Sequence, residues 1–218
     1  MGRTELKERI IASGLIAVLR RIPGDRLVPI VEALSGGGVG VAEITWDDEG
    51  SLRLLGRAVE VSGQDLLWGM GTVTTTDQVR RAVGAGARFI VTPVLVPEVI
   101  SACLDLDVVC IPGAFSPTEI YSAWRAGADL IKVFPACVLG PSYFQEMRGP
   151  FPGVPLVAVG GVDASNAGSF LRAGACAVAA GGKLVPRHLV ETDQWNTLVE
   201  TVSRFVAAVR EGKGSCSH

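Results

Sequence analysis

Eight short apolar runs recur along the chain, most of them followed by a segment of helix length. No other feature restricts the possible architectures as much. The runs are residues 15–19, 41–46, 66–72, 89–94, 108–112, 130–135, 155–160 and 176–181. Segments 27–34, 51–61, 76–83, 97–104, 117–125 and 165–172 are compatible with helices between them. Residues 6–13 predict a leading helix and 195–210 a closing one. This alternation predicts an α/β protein, a (β/α)8 TIM barrel with a leading N-terminal helix, rather than an open doubly wound sheet. No Gly-x-Gly-x-x-Gly follows the first run, which argues against dinucleotide binding. The 218 residues suit one domain, expected over 1–211, with 212–218 as a disordered tail.

A repeat sets the register within this frame. Gly38, Gly86, Gly127 and Gly174 recur at intervals of 48, 41 and 47 residues, before strands two, four, six and eight. Glycine there suits a helix C-cap in the left-handed region. Five residues after each stand Glu43, Val91, Lys132 and Ala179. Barrel interiors are layered, four side chains per layer from alternate strands, so these four are expected to share a layer. Its two charged members would then face each other across the barrel, with modest side chains leaving space between them.

Lys132 is isolated in Leu130-Ile131-Lys132-Val133-Phe134-Pro135. Burying an ammonium is costly, so an interior lysine is usually paired or has a lowered pKa. A neutral lysine is a nucleophile toward carbonyl carbon. A Glu43–Lys132 salt bridge is the structural alternative. The pair lies toward the C-terminal ends of its strands, the active pole of such barrels, which favours imine chemistry.

The other strand ends add candidate substrate ligands. Arg20 closes strand one and either forks a carboxylate or phosphate or lies exposed in a loop. Thr72, after Gly69-Met70-Gly71, offers a hydroxyl or caps a turn. Strand four ends at Thr92-Pro93. Strands seven and eight end in Gly160-Gly161 and Gly181-Gly182, where barrels commonly bind phosphate through backbone N–H groups. Lys183 either adds charge there or points to solvent.

Composition removes other classes. With 20 basic and 22 acidic residues, net charge −2 and no basic run, nucleic acid and anionic membranes are unlikely partners. No apolar stretch reaches membrane-spanning length, and the first residues lack the apolar core of a signal peptide. The five cysteines form no Cys-x-x-Cys, which suggests a reducing cytoplasm. The two histidines, His188 and His218, nearly exclude a histidine-rich metal site. Neither a metal nor an organic cofactor is expected.

Taken together, these segments resemble the 2-keto-3-deoxy-6-phosphogluconate (KDPG) / 4-hydroxy-2-oxoglutarate (KHG) aldolase family. The likeness runs from about Ile16 to Val185. It includes Ala17-Val18-Leu19-Arg20, Glu43-Ile44-Thr45, Gly71-Thr72-Val73, Pro112-Gly113, Ile131-Lys132-Val133-Phe134-Pro135, Gly149-Pro150-Phe151-Pro152 and Gly160-Gly161-Val162. The resemblance implies a (β/α)8 barrel, a homotrimer and a metal-independent class I mechanism. Lys132 would be the Schiff-base lysine and Glu43 the acid/base. Arg20, Thr72, Pro93, Phe134 and the glycines 160, 161, 181 and 182 would bind substrate. The implied reaction cleaves a 2-keto-3-deoxy-6-phospho sugar acid to pyruvate and glyceraldehyde 3-phosphate. Cleavage of 4-hydroxy-2-oxoglutarate to pyruvate and glyoxylate is the alternative, and a phosphate-binding isomerase or epimerase a more distant one. Three positions depart from the pattern: Asp47 replaces an arginine, Val159 a threonine and Gly182 a serine. All three bear on anion recognition.

Overall fold

The structure is a computed structural model and describes residues 1–214. After the leading helix α1 (Arg3–Ser13) come the parallel strands β1 (Leu15–Leu19), β2 (Val41–Thr45), β3 (Leu67–Gly71), β4 (Phe89–Val91), β5 (Val109–Ile111), β6 (Gly113–Ala114), β7 (Ile131–Val133), β8 (Leu156–Val159) and β9 (Ala177–Ala180). The sheet runs β5-β4-β3-β2-β1-β9-β8-β7-β6. Its two ends, β5 and β6, are halves of one stave interrupted at Pro112, so the sheet closes nearly into a barrel. Pro112 has no N–H for the ladder, yet its carbonyl accepts the Lys132 N–H at 2.9 Å. Nine assigned strands are therefore the eight predicted staves.

The outer helices are α2 (Leu27–Gly36), α3 (Gly50–Ser62), α4 (Thr76–Gly84), α5 (Pro97–Asp105), α6 (Pro117–Arg125), α7 (Ala136–Met147), α8 (Ala167–Arg172), α9 (Arg187–Glu191) and α10 (Trp195–Gly214). Their starts follow from sequence: Thr75 and Ser116 make capping boxes with Gln78 and Glu119, and Pro97 and Pro117 open helices that need no donor there. Gly38, Gly86, Gly127 and Gly174 have φ of +88°, +104°, +94° and +108°, the left-handed exits that the repeat predicts.

Two apolar layers result. Between sheet and helices lies the larger core, with Leu19, Ile44, Met70, Ile90, Ile131 and Val178 among its members. Inside the barrel, Ile16, Val41, Leu67, Phe89, Val109, Leu130, Val157 and Ala177 pack with Leu6 and Ile10 of α1. The leading helix thus plugs the N-terminal pole and leaves the other pole open for chemistry.

Boundaries differ from expectation where proline or glycine intervenes. Thr92 and Pro93 lie beyond β4, and α9 is an additional helix. The closing helix continues past Arg210 to Gly214. Gly212 is buried, and a Cβ there would stand 2.5 Å from the Gly168 Cα. Residues 212–214 therefore belong to α10 rather than to a tail. The rest of the expected tail, residues 215–218, lies outside the described residues.

Candidate active site

The C-terminal pole holds a cavity of about 420 Å3. Its walls carry the residues expected from sequence to catalyse or to bind substrate: Arg20, Glu43, Thr72, Pro93, Lys132, Phe134 and the glycines 160, 161, 181 and 182. Val18, Val159, Val162 and Ala179 supply apolar surface, and Lys183 a second ammonium. Of the predicted layer, Glu43, Lys132 and Ala179 reach the cavity. Val91 instead packs in the apolar interior near the β4 end.

Lys132 sits at the centre of β7, in register with Gly113 on one side and Val157 on the other. Burial lowers its pKa; the Glu43 charge opposes this and the Arg20 charge reinforces it. Its Nζ lies 4.9 Å from the centroid of the half-exposed Phe134 ring, within cation–π range. Glu43, at the middle of β2, is only 5% exposed. Burial raises its pKa to about 7, against the lowering effects of Lys132 and Arg20. No ion pair joins Glu43 to Lys132 among the described residues. The salt-bridge alternative is thus not what the structure contains. Each group is close enough to feel the other's charge, yet each is moved toward neutrality by burial. That is the condition under which an amine can attack a carbonyl while a carboxyl exchanges protons near pH 7.

Gly71 gives Glu43 its room: a Cβ there would stand 2.8 Å from the Glu43 carboxyl carbon, whereas one on Gly69 would meet the Phe89 ring. Beyond Gly71 the chain turns at Thr72, whose φ is +60°. This left-handed backbone, uncommon for threonine, places its hydroxyl 3.4 Å from Arg20 Nη2.

From sequence, Asp47 disfavours an anion at the mouth unless Arg20 or Arg21 offsets it, and both contact it: its Oδ1 lies 3.5 Å from Arg20 Nη1, while Oδ2 accepts hydrogen bonds from Thr45 Oγ1 (2.7 Å) and the Arg21 N–H (2.9 Å). Glu43, Thr45 and Asp47 follow the two-residue period of a strand face.

Both glycine pairs line the cavity. Gly160 and Gly161 have φ of +95° and +72°, and Cβ atoms there would meet the Phe134 ring and Cys137. Gly182 has open space around it. Among the described residues, no protein acceptor takes the N–H groups of Gly161, Gly182 or Lys183. In the segment before α8, Asp163 Oδ1 accepts the Ser165 and Asn166 N–H groups, at 2.9 and 3.2 Å. Those donors are engaged within their own turn. Among the described residues, no cluster of His, Cys, Asp or Glu has metal-site geometry, and no helix is long and apolar enough to cross a membrane.

Comparison with known proteins agrees with the fold. The family model described as KDPG and KHG aldolase matches residues 6–201. A probable 2-dehydro-3-deoxy-6-phosphogalactonate aldolase of Rhizobium meliloti is 34% identical over 194 residues, covering 88% of this chain and 92% of that one. A solved structure described as native KDPGal superposes with a TM-score of 0.84 at 30% identity, covering 91% of this chain and 95% of its own. The KDPG aldolase of Legionella pneumophila, holding pyruvate captured as a covalent carbinolamine, gives a TM-score of 0.84 at 28% identity, over 91% and 96%.

Proposed function

Since the chain belongs to the KDPG and KHG aldolase family, we propose that it is a metal-independent class I aldolase. Its substrate is a 2-keto-3-deoxy-6-phospho sugar acid, cleaved to pyruvate and glyceraldehyde 3-phosphate. The observation that carries this reading is Lys132: an amine with a lowered pKa, facing a buried carboxyl poised at about 7, with no ion pair between them.

The neutral Lys132 amine attacks C2 of the keto acid. The carbinolamine that forms loses water with Glu43 relaying protons, and a protonated imine results. The Glu43 carboxylate then removes the C4 hydroxyl proton. The C3–C4 bond breaks, its electron pair moves into the imine, and the aldehyde half departs. The remaining enamine takes a proton at C3. Water adds to the imine, releasing pyruvate and the free amine. Apolar walls at Val18, Val159 and Ala179 keep Glu43 a weak enough acid to serve in both directions.

The two ends of the substrate meet different donors. Arg20 and Thr72 take the C1 carboxylate. The N–H groups of Gly161, Gly182 and Lys183, with the Lys183 ammonium, take the distal phosphate. Two observations favour 4-hydroxy-2-oxoglutarate as a second substrate: Val159 and Gly182 offer no hydroxyl, and Asp163 occupies the donors before α8. Active assembly is as a homotrimer, supported by the exposed Phe115, Tyr121 and Val138 on and around α6 and α7. The free thiols at Cys103, Cys110, Cys137 and Cys176 suit the cytoplasm.

Treatment with pyruvate and borohydride tests the reading. An adduct on Lys132 is expected. An adduct at Lys7, Lys183 or Lys213 with Lys132 unmodified would refute the assignment, and no adduct at all would favour an isomerase or epimerase. Turnover of the phosphorylated acids of both C4 configurations, beside 4-hydroxy-2-oxoglutarate, ranks the substrates. Sedimentation gives the assembly.

A further inference from the structure

We infer that Asp47 is a positioning residue that fixes the Arg20 guanidinium as the carboxylate clamp of the cavity. What the clamp holds rests on the aldolase reading above.

Arg20 follows β1 and its side chain is 55% exposed. A long arginine at such a place samples many rotamers unless it is tied down, and ordering it on binding costs affinity. Two contacts tie it: Nη1 to Asp47 Oδ1 at 3.5 Å and Nη2 to Thr72 Oγ1 at 3.4 Å. The contacts come from the ends of β2, which carries Glu43, and of β3, while Arg20 itself follows β1, so the guanidinium is stretched across the strand ends at the mouth. Its charge reaches both Glu43 and Lys132. A guanidinium has five N–H donors, and these two contacts leave donors for a planar carboxylate.

Asp47 is itself held. Its Oδ2 accepts from the Thr45 hydroxyl and from the Arg21 N–H, and Arg21 adopts a left-handed φ of +50° that presents this N–H. Two donors and a cation therefore surround the carboxylate, which limits its repulsion of an incoming anion. A half-exposed ion pair of this length adds little to folding stability. What it does change is the number of orientations open to Arg20. The keto acid bonded to Lys132 carries its carboxylate on the adjacent carbon, so a fixed cation nearby lowers the cost of binding before chemistry begins.

A purely structural alternative has Asp47 pinning the Arg21 turn. Asp47→Asn separates the two, since an amide oxygen still accepts from Thr45 and Arg21 while the ionic hold on Arg20 is lost. The readout is the pyruvate concentration giving half-maximal borohydride trapping on Lys132 in the full chain. In Asp47→Asn it should rise about tenfold, the scale of one charge-assisted hydrogen bond. The maximal trapping rate should stay within about twofold, as for a group that acts in binding. Asp47→Glu should restore part of the loss. In an Arg20→Ala background, Asp47→Asn should add nothing. An unchanged half-saturation value overturns the inference, as does an equal rise in both backgrounds. Should Asp47→Asn lower the melting temperature, Arg20→Lys repeats the test from the other end. A lysine cannot fork between Asp47 and Thr72, and normal pyruvate affinity in that variant overturns the inference. Failure of wild-type protein to trap pyruvate at all would instead overturn the aldolase reading, and this inference with it.

Discussion

The Glu43 carboxyl group lies directly against Gly71, with 2.8 Å between its carbon and the place a Cβ would occupy. The acid is thus positioned by an absence, since any side chain on the neighbouring strand would displace it. Gly71→Ala should lower kcat about 10–100-fold, part of the range contributed by a positioned acid/base. Pyruvate trapping on Lys132 should persist. Overpacking should also cost about 1–3 kcal/mol of stability. Steady-state kinetics with a denaturant titration would check both. Normal kcat in this variant would mean that Glu43 has freedom the packing denies.

Glu43 also ties activity and stability to pH. As the base in cleavage it must be ionised, so kcat should rise with pH through about 7. Glu43→Gln should lower kcat by about 10²–10⁴ and remove that limb, with little change in KM. Stability runs the other way. Below the ordinary carboxyl value of 4.5 the group is protonated in both folded and unfolded chains. Between 4.5 and about 7 only the unfolded chain ionises, so the folded state loses ground as pH rises. Above that the penalty is constant, on the order of 3 kcal/mol at most. Glu43→Gln should therefore match wild type in melting temperature near pH 4 and exceed it near pH 8. Equal melting at pH 8 would argue against the raised pKa.

Gly182 has no atom within 4 Å of a Cβ placed on it. A serine there should fold normally and bring a hydroxyl to the proposed phosphate site. One added charge-assisted hydrogen bond is worth roughly 1.5–3 kcal/mol. The ratio of kcat/KM for the phosphorylated over the unphosphorylated keto acid should rise by about one to two orders of magnitude at that energy. Competition by inorganic phosphate should strengthen in parallel. If neither changes, the distal anion does not sit at the strand-end glycines.

Helix α10 crosses α8 where Gly212 meets Gly168, leaving no space for a side chain on Gly212. Gly212→Leu should destabilise by about 1–3 kcal/mol through overpacking. A chain ending at residue 211 should also melt lower than the full chain. Thermal denaturation would show whether residues 212–214 act as part of the domain or as an appendage.

Much of the architecture was legible because it rests on local rules. Apolar runs of strand length and the glycine exits at 38, 86, 127 and 174 each have short-range causes. The spacing from those glycines also identified Glu43 and Lys132 as inward-facing. Failures occurred where a distant neighbour decides. Pro112 divides a stave by lacking a donor, yet its carbonyl still serves Lys132. The stretch 212–214 looks like a tail by composition but is helical because Gly212 fits against Gly168, some forty positions earlier.

The sequence by itself determined the alternation, the polarity of the barrel and the family, because periodicity, helix exits and an isolated lysine leave direct marks on the order of residues. Only the tertiary structure decided the state of the site. Whether Glu43 and Lys132 pair or stand apart depends on their separation and their burial. Whether Asp47 repels an anion or steadies Arg20 depends on which side chains from other strands reach it. Electrostatic energies depend on distance and on the surrounding medium, and neither exists until the strand ends are brought together.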